Sequence, residues 1–339
     1  MRTRALALRI IRQFIRDKRT LALLFLAPLL VLTLLHYVFN GQAVKLDIGT
    51  VDVPALMTER LKNADVQVTA YANADQAKQA LEERTLDAVL SLGGGKPVIT
   101  LEGSDPSVSK AALLALQRSM QTAAQAVQPE IAYLHGKEDL SSFDSFGPVL
   151  IGFFSFFFVF LLAGVAFLRE RTTGTLERLM ATPIRRYEVV AGYLAGIGVF
   201  TLLQAALIAS YSIGVLGLYM EGSIGLVLLI NLLLTLTALT LGTLLSSYAG
   251  SEFQIIQFIP LVVVPQVFFS GLFSLEAMEP WLQKLSYVMP LYYGADALRG
   301  IMIRGERFAD IQLDVYVLLG FSIVFALLNV IALKKQRAI

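Results

Sequence analysis

The twenty residues from Arg169 to Glu188 mix acidic, basic and hydroxyl side chains between two long apolar stretches. They read Arg169-Glu170-Arg171-Thr172-Thr173-Gly174-Thr175-Leu176-Glu177-Arg178-Leu179-Met180-Ala181-Thr182-Pro183-Ile184-Arg185-Arg186-Tyr187-Glu188. The chemistry open to them is recognition by shape and charge, because nowhere does the chain assemble an acid, a base and a nucleophile. Thr175 to Met180 reads as a short helix with Leu176, Leu179 and Met180 on one side. Thr182 and Pro183 are expected to end it and to open the next helix, proline being favoured in a first helical turn. A short rigid helix between two membrane spans suits a protein that receives force from a cytoplasmic partner. The plainer reading is a polar turn with interfacial arginines.

Other reactive residues are sparse. Without cysteine there is no disulfide framework, thiolate metal site or cysteine nucleophile. The two histidines, His36 and His135, are far apart in sequence, and no metal site is expected. His36 reads as interfacial; His135, with Glu138 and Asp139 nearby, reads as solvated surface. Gly93-Gly94-Gly95-Lys96 is not a phosphate-binding loop: the leading glycine is missing, and Pro97 stands where serine or threonine is required. A hairpin turn is expected there.

Hydrophobic residues make up 56% of the 339-residue chain and charged ones only 16%, against roughly a quarter in soluble domains, which points to lipid. Crossing about 30 Å of hydrocarbon takes roughly 20 residues without formal charge. Six stretches qualify or nearly so: Thr20 to Val44, Phe146 to Leu168, Val189 to Met220, Gly222 to Ser251, Phe253 to Leu275 and Val315 to Leu333. The spans are placed at 20–44, 146–168, 189–216, 222–246, 253–275 and 313–333, with 1–19 as an interfacial helix and 334–339 as a tail. With the N-terminus inside, the cytoplasmic segments hold fifteen basic and five acidic residues, and the rest of the chain thirteen and twenty-one. That asymmetry places both termini and the loop 169–188 in the cytoplasm. The first stretch reads as a retained span, since it is too long for a signal peptide and no clean cleavage site follows.

Leu6, Ile10 and Phe14 recur every four residues, with Ile11 beside them and Arg9, Arg12, Arg16 and Arg19 opposite. That pattern suits a helix in the cytoplasmic interface with its arginines towards anionic headgroups, or a basic anchor that sets topology. Residues 45–145 have the composition of a soluble external domain: strands at 44–49, 66–71, 88–92 and 98–101, helices at 54–64 and 74–83, and a long helix over 107–128. Within the spans, Gln204, Asn231, Gln254, Gln257 and Gln266 are candidates for lining a substrate path or for holding helices together. Pro260 and Pro265 are expected to bend the fifth span. Residues 276–312 mix charge with apolar runs and suggest helices dipping into the outer leaflet.

The loop resembles the type-2 permease family of ABC transporters, of the type V exporter fold. The residues that carry the likeness are Glu170-Arg171, Gly174-Thr175-Leu176-Glu177, Thr182-Pro183, Arg185 and Glu188. Met289-Pro290-Leu291-Tyr292-Tyr293 and Leu298-Arg299-Gly300 look like the family's proline-aromatic re-entrant region. Gly192-Tyr193 departs from it, since the family often has Gly-Lys there. The resemblance implies an exporter of two permease and two cytoplasmic ATPase subunits, with the loop helix, Leu179 included, docked into a groove on each ATPase. ATP and magnesium would then belong to the ATPases, and no cofactor or nucleic acid to this chain.

The leading functional expectation is outward export of an amphipathic drug, antibiotic or lipid-like compound by a homodimeric or heterodimeric permease. The spans carry no buried acid, which weakens a cation pathway, although sodium export stays open. A non-transporting sensor or scaffold is the second class. A membrane enzyme ranks last.

Overall fold

The computed structural model describes residues 2–39, 46–62, 66–83, 85–93, 96–102, 112–113, 115–117, 140–273, 275 and 278–335. His135, Glu138 and Asp139, Gly94 and Gly95, most of the helix expected over 107–128 and the end of the 334–339 tail lie outside the described residues. The chain divides into two units, one of 1–40 and 133–339 and one of 41–132.

Helix α1 (Arg2–Arg16) is followed, with only Asp17 between, by the first membrane-length helix, α2 (Lys18–Phe39). The second unit then begins with β1 (Leu46–Val51), α3 (Ala55–Lys62), β2 (Val66–Tyr71), α4 (Ala74–Glu82), β3 (Ala88–Gly93) and β4 (Lys96–Leu101). The sheet order is β2-β1-β3-β4, with β1 parallel to both neighbours and β3 antiparallel to β4. Gly93 pairs with Lys96 at the facing ends of antiparallel β3 and β4. Pro97, which cannot donate to a ladder, sits on edge strand β4. Apolar residues cover both sheet faces: Ile48, Leu61 and Leu90 in one cluster, Val51, Ala77 and Leu81 in the other. Asn73 starts α4 by accepting the Gln76 N–H at 2.9 Å.

The first unit resumes with α5 (Ser142–Thr172), the short α6 (Thr175–Met180), α7 (Arg186–Gly214) and α8 (Ile224–Ser246). Next come α9 (Glu252–Leu272), α10 (Pro280–Ser286), α11 (Pro290–Arg304) and α12 (Phe308–Lys335). Helices α2, α5, α7, α8, α9 and α12 are long and apolar enough to cross a membrane. The expected class therefore holds: six membrane helices, with a small α/β region between the first and second.

Three of the six are central and three peripheral. α5, α7 and α8 are more than half buried over their most apolar stretches, whereas α2 buries only Leu24, Pro28 and Leu32, one stripe of four-residue period. On α2 and α12, Leu26, Leu30, Leu34, Leu313, Ile323 and Leu327 are exposed, as suits lipid-facing helices. Where α5 crosses α8, Gly242 lies against backbone, and a Cβ there would come within 2.5 Å of the Phe160 carbonyl oxygen. Small residues at such a crossing let helix backbones approach closely.

The fifth span absorbs its prolines in a way the sequence does not announce. Around Pro260 the helix opens into a π-helical turn, Ile259–Val263, and a second follows at Phe268–Leu272. Wider turns accommodate carbonyl groups that have lost an N–H partner. Gly271 ends the helix at φ 79°, where its carbonyl accepts from Arg299 Nη2 at 2.8 Å. Helix α11 packs among α5, α8, α9 and α12 through Leu291, Leu298 and Ile301.

Candidate functional site

At the end of α5, three consecutive charged residues reach three parts of the chain. Arg169 Nε donates to Glu252 at 2.7 Å, at the start of α9, and its Nη1 lies 3.9 Å from Asp17, just before α2. Glu170 forms an ion pair with Arg9 of α1. Arg171 donates to the carbonyls of Ser246 and of Ala249, the latter at 3.0 Å, and so caps the C-terminus of α8. Burial works against the Arg9 charge, but hydrogen bonding and attraction from Glu170 outweigh it and raise its pKa. Hydrogen bonds from Thr20 hold the Asp17 carboxyl below the usual range.

The chain then reverses. Thr173 Oγ1 donates back to the Arg169 carbonyl at 2.7 Å, and Gly174 takes the left-handed conformation at φ 69°, which glycine adopts without strain. α6 follows, anchored by Leu176, which is 3% exposed, with Leu179 and Met180 partly buried beside it. Glu177 and Arg178 are exposed, as are Thr182, Pro183, Arg185 and Tyr187, while Thr175 is half-buried.

Pro183 does not open the next helix. Thr182 Oγ1 donates to Leu179 at 2.6 Å to close α6, and the chain stays non-helical until Arg186. The carboxylate of Glu188 accepts the Arg185 N–H at 2.7 Å, satisfying a donor that the first turn of α7 leaves free. The N-terminal helix supports the loop from the side: Arg2 donates to the Pro183 carbonyl.

α1 is seated on α7, and glycines make the seat. A Cβ at Gly192 would lie 2.6 Å from Leu6, and one at Gly196 would lie 2.8 Å from Ile10, while Phe14 stacks on Phe200 at 5.4 Å. Arg9 thus departs from the expectation that it faces headgroups, because the α1–α7 packing turns it towards Glu170. Tyr193, where the family often has lysine, is buried beside that pair with its ring edge-on to Phe167. Arg9 supplies positive charge next to Glu170 from a different helix.

Of the loop residues singled out in sequence, Glu170, Arg171 and Leu176 therefore point inward and brace the loop. Glu177, Thr182, Pro183 and Arg185 form its outer edge. Reading sequence alone missed Arg2, Arg9, Asp17, Arg169 and Glu252 as braces. Their one signal was the surplus of charge flanking the spans.

The five polar span residues do not gather on one surface. Gln204 is buried with both amide atoms unpartnered among the described residues, and Asn231 donates to the Ala205 carbonyl at 3.0 Å. Gln266 is buried and ties α9 to α11, accepting the Leu291 N–H at 3.2 Å. Gln254 and Gln257 are exposed on the first turns of α9.

The sequence matches the model of the ABC-2 family transporter protein over residues 18–331. It is 25% identical over 206 residues to ABC transporter G family member 20 of Dictyostelium discoideum, covering 60% of this chain and 28% of that protein. To the inner membrane transport permease YhhJ of Escherichia coli (strain K12) it is 27% identical over 177 residues, covering 52% of this chain and 47% of the relative. To the probable multidrug ABC transporter permease YbhS of the same organism it is 24% identical over 178 residues, with 52% and 47% covered. The matched region spans less than half the length of each of these relatives.

Proposed function

Because the chain belongs to the ABC-2 transporter family, we propose that it is the membrane-spanning permease subunit of an ATP-driven exporter, with α6 as the docking element for a separate cytoplasmic ATPase. One observation carries this reading: α6 projects from two spans with Leu176 anchored and Glu177 and Arg178 exposed. ATP and magnesium reside on two ATPase subunits, and closing of that pair pushes on α6. Arg169, Glu170 and Arg171 carry the displacement to α9, α1 and α8, so one contact moves several helices together. Both termini and the loop face the cytoplasm, following the excess of lysine and arginine in 1–19, 169–188 and 334–339.

A second permease, of the same or a related chain, packs against α9. Its exposed face carries Gln254 and Gln257 among Phe253, Ile256, Leu261 and Val264. Side chains such as glutamine are unfavourable against lipid tails and gain from a protein neighbour. The substrate is amphipathic, drug-like or lipid-like, and leaves outward; the resemblance supports the direction, and the probable multidrug permease among the relatives supports the class.

The absence of cysteine makes the docking claim directly testable. Arg178→Cys and Thr182→Cys each install a single thiol on the outer edge of the loop, and Trp281→Cys installs one on exposed α10. After labelling with a thiol-reactive benzophenone, the loop variants are expected to photocross-link the co-expressed ATPase and the α10 variant is not. Cross-linking from α10 alone, or from none of the three, contradicts the assignment.

A further inference from the structure

α1 does more than brace the loop. The side of α1 turned away from α7 carries two stripes in parallel. Arg12 and Arg16, one turn apart, are exposed and take part in no ion pair among the described residues. Beside them Leu8 and Ile15 are 43% and 58% exposed, although both are large and apolar. An open, shallow surface lies on this side, lined among the described residues by Ala5, Leu8, Arg9, Arg12, Gln13 and Arg16.

We propose that this face of α1 is a binding site for an anionic phospholipid, with its phosphate on Arg12 and Arg16 and its acyl chains along Leu8 and Ile15. The occupant follows from where α1 sits and from its two stripes. Asp17 alone separates α1 from the span α2, so α1 lies at the level where hydrocarbon gives way to headgroups. An acidic protein surface or a nucleic acid satisfies the guanidinium groups and leaves Leu8 and Ile15 in water. A phospholipid covers both stripes, and guanidinium matches phosphate geometry in a bidentate way. Arg9 borders the same surface but is committed to Glu170, which places the bound lipid next to the brace that holds the coupling loop. The site rests on the chain being a membrane protein and not on its having an ATPase partner.

The test is thermal unfolding of the full purified chain in a neutral detergent, with dioctanoyl phosphatidylglycerol, dioctanoyl phosphatidylcholine or inorganic phosphate added. Phosphatidylglycerol is expected to raise the midpoint by about 4 °C, as a ligand specific to the folded state does, and the other two to leave it unmoved. Arg12→Gln with Arg16→Gln is expected to lose the shift. Arg12→Lys with Arg16→Lys keeps most of it, and Arg178→Gln with Arg185→Gln, which removes the same charge elsewhere, keeps all of it. Should the glutamine pair unfold on its own, lipid retention by native mass spectrometry in the wild type and the lysine pair decides, with phosphatidylglycerol held over phosphatidylcholine in both. A full shift in the glutamine pair, equal effects of the two lipids, or an equal effect of inorganic phosphate overturns the proposal.

Discussion

Glu177→Arg is expected to lower substrate-stimulated hydrolysis by the assembled complex about tenfold or more, equivalent to about 1.4 kcal/mol of lost coupling free energy. The side chain is exposed and makes no hydrogen bond or ion pair among the described residues, so its charge bears on the fold only through its place near the helix N-terminus. Its place in the first turn of α6 favours a negative charge, and reversal there costs about 0.3–1 kcal/mol of local helix stability. The expected pattern is therefore a large loss of activity with an unfolding midpoint close to wild type. Equal loss of midpoint and activity would instead make Glu177 a structural residue.

Glu170→Ala is expected to show the opposite pattern, with a loss of about 2 kcal/mol in stability and a loosened loop. Glu170 is 6% exposed, and its removal leaves the Arg9 guanidinium without its ion-pair partner. Breaking a fully buried pair costs about 3–5 kcal/mol, and the smaller figure allows for the solvent that reaches Arg9. A double-mutant cycle with Arg9→Met checks the attribution: the double variant is expected to lose less than the two single losses combined. Additive losses would mean that Glu170 acts through some contact other than Arg9.

These two carboxylates lie seven residues apart and look alike in sequence, which marks where legibility stops. The six spans were readable because hydrocarbon demands long charge-free runs, and the α/β unit because its strands and helices alternate with clear breaks. Helix ends were not. α5 starts at Ser142, with Ser141 accepting the Asp144 N–H at 3.1 Å, and α12 starts at Phe308 despite Asp310 and Asp314, since charge is tolerated where a helix leaves the hydrocarbon. Pro183 carried a sound local preference for a helix start, yet the start falls at Arg186, where Glu188 can cap the chain. The loop residues proposed to dock were picked out through resemblance. Which of them face inward was not, because that depends on how α1 crosses α7 at Gly192 and Gly196, a tertiary contact between residues far apart in sequence.

Coupling through the loop is tested most directly by ATP hydrolysis by the wild-type chain purified from cells that co-express a candidate partner ABC ATPase from the same genome. The ATPase is expected to co-purify, and its hydrolysis in lipid nanodiscs to rise when amphipathic compounds are added. If no ATPase is retained by the wild-type chain, the loop is not a coupling element and the permease assignment is contradicted.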